Sequence, residues 1–302
     1  MTILVVGSAA FDDIETPFGR AEHVLGGSSI YFSAAASLFA PVNLVSVVGT
    51  DMPPDAYGFL AQRGVDMRGL QVEPGATFHW SGRYDYDLNQ TITLATDLNV
   101  YAGFNPVLPA EYAESDFVFL ANIQPELQLA VLEQTVAPRL TMMDSMNLWI
   151  QTDRDAVERV MRRVDMVSIN ESEARMFAGS SSVITAARRI LALGPKAVLV
   201  KKGEYGVVLF TADDYFAVPA YPLEEVFDPT GAGDSFAGGF MGYLAQAESL
   251  DAGTLRRAAV YGSAVASFTV QAFGVERLKS LTRAEVEERC REFRRLTEVG
   301  EI

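Results

Sequence analysis

Residues 228–240 read Asp-Pro-Thr-Gly-Ala-Gly-Asp-Ser-Phe-Ala-Gly-Gly-Phe. Their types and spacing suit the capture of an anion. Gly231, Ala232 and Gly233 form a turn that runs into a helix, and Phe236, Phe240, Tyr243 and Leu244 recur along one face of that helix. The first amides of a helix have no partner within it. Glycine allows a ligand to approach the backbone closely. Free amides at the positive end of the helix dipole therefore make a phosphate cradle. Asp234 has two readings. A first-turn carboxylate is an ordinary helix-start residue. In a phosphate cradle it would repel the ligand, unless it takes the proton from a hydroxyl that attacks the phosphorus.

Other candidates stand past the ends of short apolar runs. Asp12 and Asp13 follow the strand Ile3–Val6 in what reads as a loop. They are either solvated or placed to meet a ligand, because open α/β sheets bind at the carboxyl ends of their strands. Gly26-Gly27-Ser28-Ser29 opens a second glycine-led helix, expected to run through Ala40 with Ser28 or Ser29 as its cap. Asp144 and Asn147 follow the strand 140–143, and Asn170 and Glu173 follow 166–169. Lys202, Gly203 and Gly206 follow 197–201, where Lys202 either meets phosphates or sits on a rim.

These residues need a scaffold. Short apolar strands at 3–6, 42–48, 117–121, 140–143, 166–169 and 197–201 alternate with helices, and 207–210 and 215–218 add two further strands. Such alternation predicts a mostly parallel sheet covered by helices on both faces. Helices are expected at 54–63, 126–135, 154–164, 171–177 and 184–193, with three more closing the chain, the last opened by the capping box Thr282-Arg-Ala-Glu285. Residues 76–97 differ. Phe78, Trp80, Gly82, Tyr84 and Tyr86 alternate with polar residues, then a turn at 87–90 leads to a second alternating run. This predicts a two-faced β-hairpin, a lid whose aromatic face is covered by the cleft, by a partner subunit or by the main body. The expectation is one domain over 1–302, with lid segments near 12–22 and 76–100.

Composition excludes several classes. The net charge of -15 disfavours non-specific binding to nucleic acid or anionic membrane. A single cysteine, Cys290, permits no intramolecular disulfide and fits a reducing, cytoplasmic compartment. Two histidines, His23 and His79, exclude a His-rich metal centre. The first residues read as a strand and not as a signal peptide, and no apolar run is long enough to span a bilayer. Neither a G-x-x-x-x-G-K-[ST] loop nor a G-x-G-x-x-G fingerprint after the first strand occurs, which speaks against a P-loop ATPase and a dinucleotide-dependent oxidoreductase.

The stretch 228–240 closely resembles the C-terminal signature of the ribokinase (PfkB-type) carbohydrate kinases. Gly26-Gly27, Asn170-Glu-Ser-Glu173 and Lys202-Gly203-Glu-Tyr-Gly206 resemble further motifs of that family in the same order. The resemblance implies a ribokinase-like α/β fold with a lid, and an ATP- and magnesium-dependent kinase acting on a hydroxymethyl group. A monovalent cation is compatible with it. It implies Asp234 as catalytic base and the amides of Gly231, Ala232 and Gly233 as the anion hole. It puts Asp12, Gly26, Gly27 and Tyr31 at the acceptor, and Asn170, Lys202, Gly203, Gly206 and Thr230 at the nucleotide. Glu173 would organise the metal through water. One departure concerns the acceptor. Tyr31 stands where many of these sugar kinases have an asparagine, and Tyr31, Trp80 and Tyr84 can stack on a nucleobase. The acceptor is therefore a sugar or a nucleoside of the adenosine type. A non-catalytic ligand sensor on the same scaffold is the alternative from another class, and a homodimer through the lid is the expected assembly.

Overall fold

Aliphatic runs without polar interruption form strands buried on both faces. The computed structural model describes residues 1–298; the last four positions of the expected 1–302 domain lie outside the described residues. Strands β1 (Ile3–Val6), β4 (Val42–Gly49), β5 (Asp66–Glu73), β8 (Phe117–Leu120), β9 (Leu140–Met143), β10 (Met166–Asn170), β11 (Ala197–Lys201), β12 (Val207–Thr211) and β13 (Tyr215–Val218) form one sheet. Its order is β13-β12-β11-β10-β9-β8-β1-β4-β5. Neighbours from β5 to β11 are parallel, and β12 and β13 close one edge antiparallel. One face is covered by helices Ser28–Ala36, Ala232–Leu244 and Ala252–Thr269, through Phe32, Phe236, Phe240 and Val265. The other is covered by Pro125–Gln134, Arg154–Met161, Glu171–Ala178 and Val183–Leu191, through Val131, Val157, Phe177 and Ile190. Among the described residues no helix is long and apolar enough to cross a membrane.

A second sheet is built from β2 (Ala10–Thr16), β3 (Gly19–Gly26), β6 (Phe78–Tyr84) and β7 (Thr91–Asp97), in the order β3-β2-β6-β7. The lone hairpin expected at 76–97 is thus half of a four-stranded lid. Asp12 and Asp13 are not in a loop; they lie on β2, which pairs in parallel with β6 and antiparallel with β3. β2, β3 and β5 escape a reading by apolar runs. Each carries charged residues, and β5 is an edge strand whose only strand neighbour among the described residues is β4. Two shorter corrections follow. The helix from Ser28 ends at Ala36, and its N-cap is Gly27, because the Ser28 and Ser29 hydroxyls are spent on Ser8. A short helix, Glu276–Ser280, precedes the last one.

The lid is held down at several points. Asn89, in the β6–β7 turn, exchanges hydrogen bonds with the Glu204 amide (3.1 Å) and the Glu204 carboxylate (3.1 Å). Tyr84 and Thr230 share a hydroxyl contact of 3.1 Å. At the β2–β3 turn, Phe18 meets Phe227 edge-on. Phe78 packs on Tyr101, and Tyr84 is buried. The aromatic face of the lid is therefore taken up within this chain, by the body and the cleft. Tyr86 is the exception, 88% exposed beyond the end of β6.

Candidate active site

The carboxyl ends of β9, β10 and β11 come out side by side, with Asp144 just past β9 and Asn170 and Lys201 the last residues of β10 and β11. The turn before helix Ala232–Leu244 lies over this edge. Asp228 shapes that turn: one carboxylate oxygen accepts from the Thr230 amide (2.8 Å) and the other from the Gly274 amide (2.9 Å). Gly231 is the N-cap at φ 73°, and a Cβ there would overlap the buried ring of Tyr31. Only glycine meets both constraints. The three amides are not equivalent. Ala232 donates back to the Pro229 carbonyl at 3.2 Å, whereas the amides of Gly231 and Gly233 find no backbone acceptor among the described residues. The expected three free amides are thus two, because the turn closes on itself at Ala232.

Asp234 is half-buried in the first turn of this helix. Burial, with the nearby Asp144 carboxylate, pushes its pKa up to about 7 against the pull of Lys201. A carboxylate of that pKa exchanges protons readily near neutrality, which is what a general base needs. Glu173 is likewise raised to about 7, by burial first, with Asp144 adding to the rise and Lys201 opposing it. Its local role is also plain. The Asn170 side chain accepts from the Glu173 amide (2.8 Å), and the Glu173 carboxylate accepts from the Asn170 amide (3.0 Å), a reciprocal capping box. Helix start and site residue coincide here.

Asp12 is 4% exposed and points to the cleft side of the lid. Gly26 packs directly on its carboxylate, so a side chain at 26 would displace it. Burial above all, then Asp228, Asp234 and Asp13, hold Asp12 well above the usual carboxylate range, against a bond from the Gly27 backbone. Asp13, one residue on, faces the other way, toward His79 (3.2 Å) and the His23 amide (2.7 Å). Strand alternation separates the two acids, which sequence spacing left equivalent.

Tyr31 does not present a ring face to an open pocket. It is 1% exposed and packed on Gly231, and its hydroxyl has no partner among the described residues. Stacking on a base is not open to it in this arrangement. Trp80 differs: it is half-buried, in register with Asp12 on β2, and therefore on the same face of the lid. Gly203 and Gly206 bound the short turn Gly203–Tyr205, against which Asn89 rests. Lys202 leans outward to Glu171 at 3.7 Å. The lysine that enters the site is Lys201, which sequence reasoning passed over. It ion-pairs with Asp144. Its signal in the sequence was a lysine ending an otherwise apolar strand.

Among the described residues, no group of three or more His, Cys, Asp or Glu is arranged to hold a metal ion. Two amides over a half-buried carboxylate and ammonium, facing a second carboxylate across the cleft, suit transfer of an anionic group to a hydroxyl.

Comparison with known proteins gives the family. Residues 6–281 match the "pfkB family carbohydrate kinase". The chain is 31% identical over 258 residues to the cytidine kinase of Thermococcus kodakarensis, a match that covers 83% of this chain and 91% of that protein. The nucleoside kinase of Methanocaldococcus jannaschii, an archaeal member of the ribokinase family, superposes with a TM-score of 0.77 at 22% identity, over 96% of this chain and 98% of that one. The Burkholderia thailandensis nucleoside kinase in complex with inosine gives a TM-score of 0.77 at 19% identity, over 98% of each chain. The fold is ribokinase-like. The extent of the family match and of the kinase relative places this chain in the PfkB family of carbohydrate kinases, ATP-dependent enzymes that phosphorylate a hydroxyl group of a sugar or nucleoside.

Proposed function

We propose that the acceptor is a nucleoside, and that its hydroxymethyl group is phosphorylated at Asp234. The observation that carries this reading is the register of Trp80 with Asp12. It sets a half-buried indole, resting over Gly82, on the same face of the lid as the carboxylate that would hold ribose hydroxyls, and the ring's other face is the surface a base would stack on. The name of the 31% identical relative, a cytidine kinase, supports the same class. In this mechanism Asp12, Gly26 and Gly27 orient the acceptor. Asp234 removes the hydroxyl proton as the oxygen attacks the γ-phosphorus. The amides of Gly231 and Gly233 stabilise the transferring group, with Ala232 fixing the turn. Thr230, Gly203 and Gly206 lie along the nucleotide side. Lid contacts at Tyr84 and Asn89 exclude water.

Magnesium fits this donor set as a water- and phosphate-completed ion, with Glu173 the residue that would hold it through water and Asn170 beside it. When bound it supplies charge neutralisation at the ATP phosphates. The surplus of carboxylates over cations among Asp144, Glu173, Asp234 and Lys201 supports a cation there.

The test is ADP release with a panel of nucleosides and free sugars. Nucleosides should be turned over at lower KM than ribose or fructose. Trp80→Ala should raise the nucleoside KM by about tenfold or more, since base stacking contributes about 1–3 kcal/mol, and should leave sugar turnover unchanged. Efficient use of free sugars alone overturns the reading. A homodimer through the lid would have to use its other face and rim, where Ile92 and Leu94 are exposed. A monomeric mass by light scattering at micromolar concentration counts against it.

A further inference from the structure

Lys201 ends β11 beside its register partner Asn170. Its side chain is mostly buried but still 18% exposed at the cleft, ion-paired with Asp144, and its charge faces Glu173 and Asp234. It also underlies the anion turn: its Nζ is 3.0 Å from the position a Cβ would take at Gly233. Burying an ammonium is costly unless it is paired. One carboxylate, Asp144, is enough to pair it, and Asp144 is further satisfied by the Ser145 amide at 2.9 Å. Placing that pair at the open edge of the sheet, against the turn that binds the anion, has no packing rationale.

We propose that Lys201 is a further catalytic residue, whose ammonium rests on Asp144 and donates to the phosphoryl group in flight over the Gly231–Gly233 turn. The bond changes are those of simple phosphoryl transfer. The acceptor oxygen bonds to the γ-phosphorus. The bond from that phosphorus to the β–γ bridging oxygen breaks, and its electron pair leaves with ADP. The acceptor's proton goes to Asp234. Lys201 forms and breaks no covalent bond and stays protonated throughout, held so by Asp144 and Glu173 although burial alone would favour its neutral form. It supplies from within the protein a cation aimed at charge that grows in the transition state. Lys202, turned to Glu171, cannot do this.

The inference rests on transfer taking place at the 231–234 turn. A double-mutant cycle separates it from a purely structural ion pair. In the cycle Lys201→Met, Asp144→Asn and the pair together are compared for kcat, KM and Tm. Part of the stability lost in Lys201→Met should return in the double variant, because Asp144 no longer leaves an unpaired buried charge, while Glu173 and Asp234 still lack their cation. Turnover should not return. Lys201→Met should lower kcat about 100-fold, typical of losing one preorganised donor, both in the parent and in the Asp144→Asn background, with acceptor KM little changed. Lys201→Arg, which keeps the charge, should recover part of the loss. If Lys201→Met costs no turnover in the Asp144→Asn background, Lys201 is a counter-ion only and the proposal fails. Failure of the transfer site itself reads differently, as near-normal turnover in Asp234→Asn whatever Lys201 does.

Discussion

Replacing Asp234 by asparagine should lower kcat by about 10²–10⁴-fold, the range a positioned general base contributes. Binding of a non-hydrolysable ATP analogue should persist. Asparagine keeps the shape of the side chain and its place in the first turn of the helix, so the loss isolates the proton acceptor. The pH profile gives an independent reading. Asp234 accepts a proton only as the carboxylate, and its pKa is raised to about 7. So kcat/KM should level off above that pH and fall as pH drops below it. Glu173 titrates in the same region at about 7. Glu173 also raises Asp234 directly, and repulsion between two carboxylates spreads their titrations apart, so the acid limb should extend over a wider pH range than one proton requires. Asp12 also feels Asp234 across the cleft. Activity measured across roughly pH 5–9 covers both regimes. Near-normal turnover in Asp234→Asn, or a profile flat through neutrality, would remove Asp234 from the role of base.

The second large effect is expected from Gly231→Ala. Gly231 sits at φ 73°, and a methyl group there would overlap the Tyr31 ring. The left-handed backbone costs a non-glycine residue about 1–2 kcal/mol, and overpacking a buried ring about 1–3 kcal/mol more. Tyr31 has little room to retreat, being 1% exposed on a helix packed into the core. The variant should therefore melt several degrees lower and lose turnover, because the amides of the turn move with the backbone. Gly233→Ala is the control for stability. Gly233 is not at positive φ, and its Cβ would meet only the flexible end of Lys201, at 3.0 Å. It should melt near the parent temperature. Equal melting temperatures for Gly231→Ala and the parent would show that Tyr31 and the turn are not locked together.

The link between Tyr31 and Gly231 bears on how acceptor and phosphate sites communicate. Tyr31 adjoins the acceptor carboxylate Asp12 electrostatically and the anion turn by contact. A ring buried between the two lets acceptor-side packing fix the geometry of the turn, and an asparagine at this position would be too short to fill the same space.

How much of this was legible in the sequence differs by element. The buried strands at 3–6, 117–120, 140–143 and 197–201 were readable, because a strand covered on both faces must be apolar throughout. The glycine turn at 231–233 and the helix it opens, with Asp234 in its first turn, were readable too, because glycine spacing and a first-turn acid are local chemistry. β2, β3 and β5 were not. Each carries charged residues that break an apolar run, β3 and β5 are largely exposed or half-exposed, and β2 is held by partners distant in the chain, such as Phe78 beside Ala10.

What the sequence by itself determined is the class of protein and of reaction: an α/β kinase with a glycine-led phosphate turn. What only the tertiary structure decided is which of several like residues serve the site. Asp12 and not Asp13 turns to the cleft, because strand alternation sends neighbours to opposite faces. Lys201 and not Lys202 enters it, because Lys201 is still within the parallel strand beside Asn170 while Lys202 has passed onto the rim. Tyr31 is set under the turn, and Trp80 beside Asp12. In each case the residue's type was visible in the sequence, but its direction depends on partners far away in the chain.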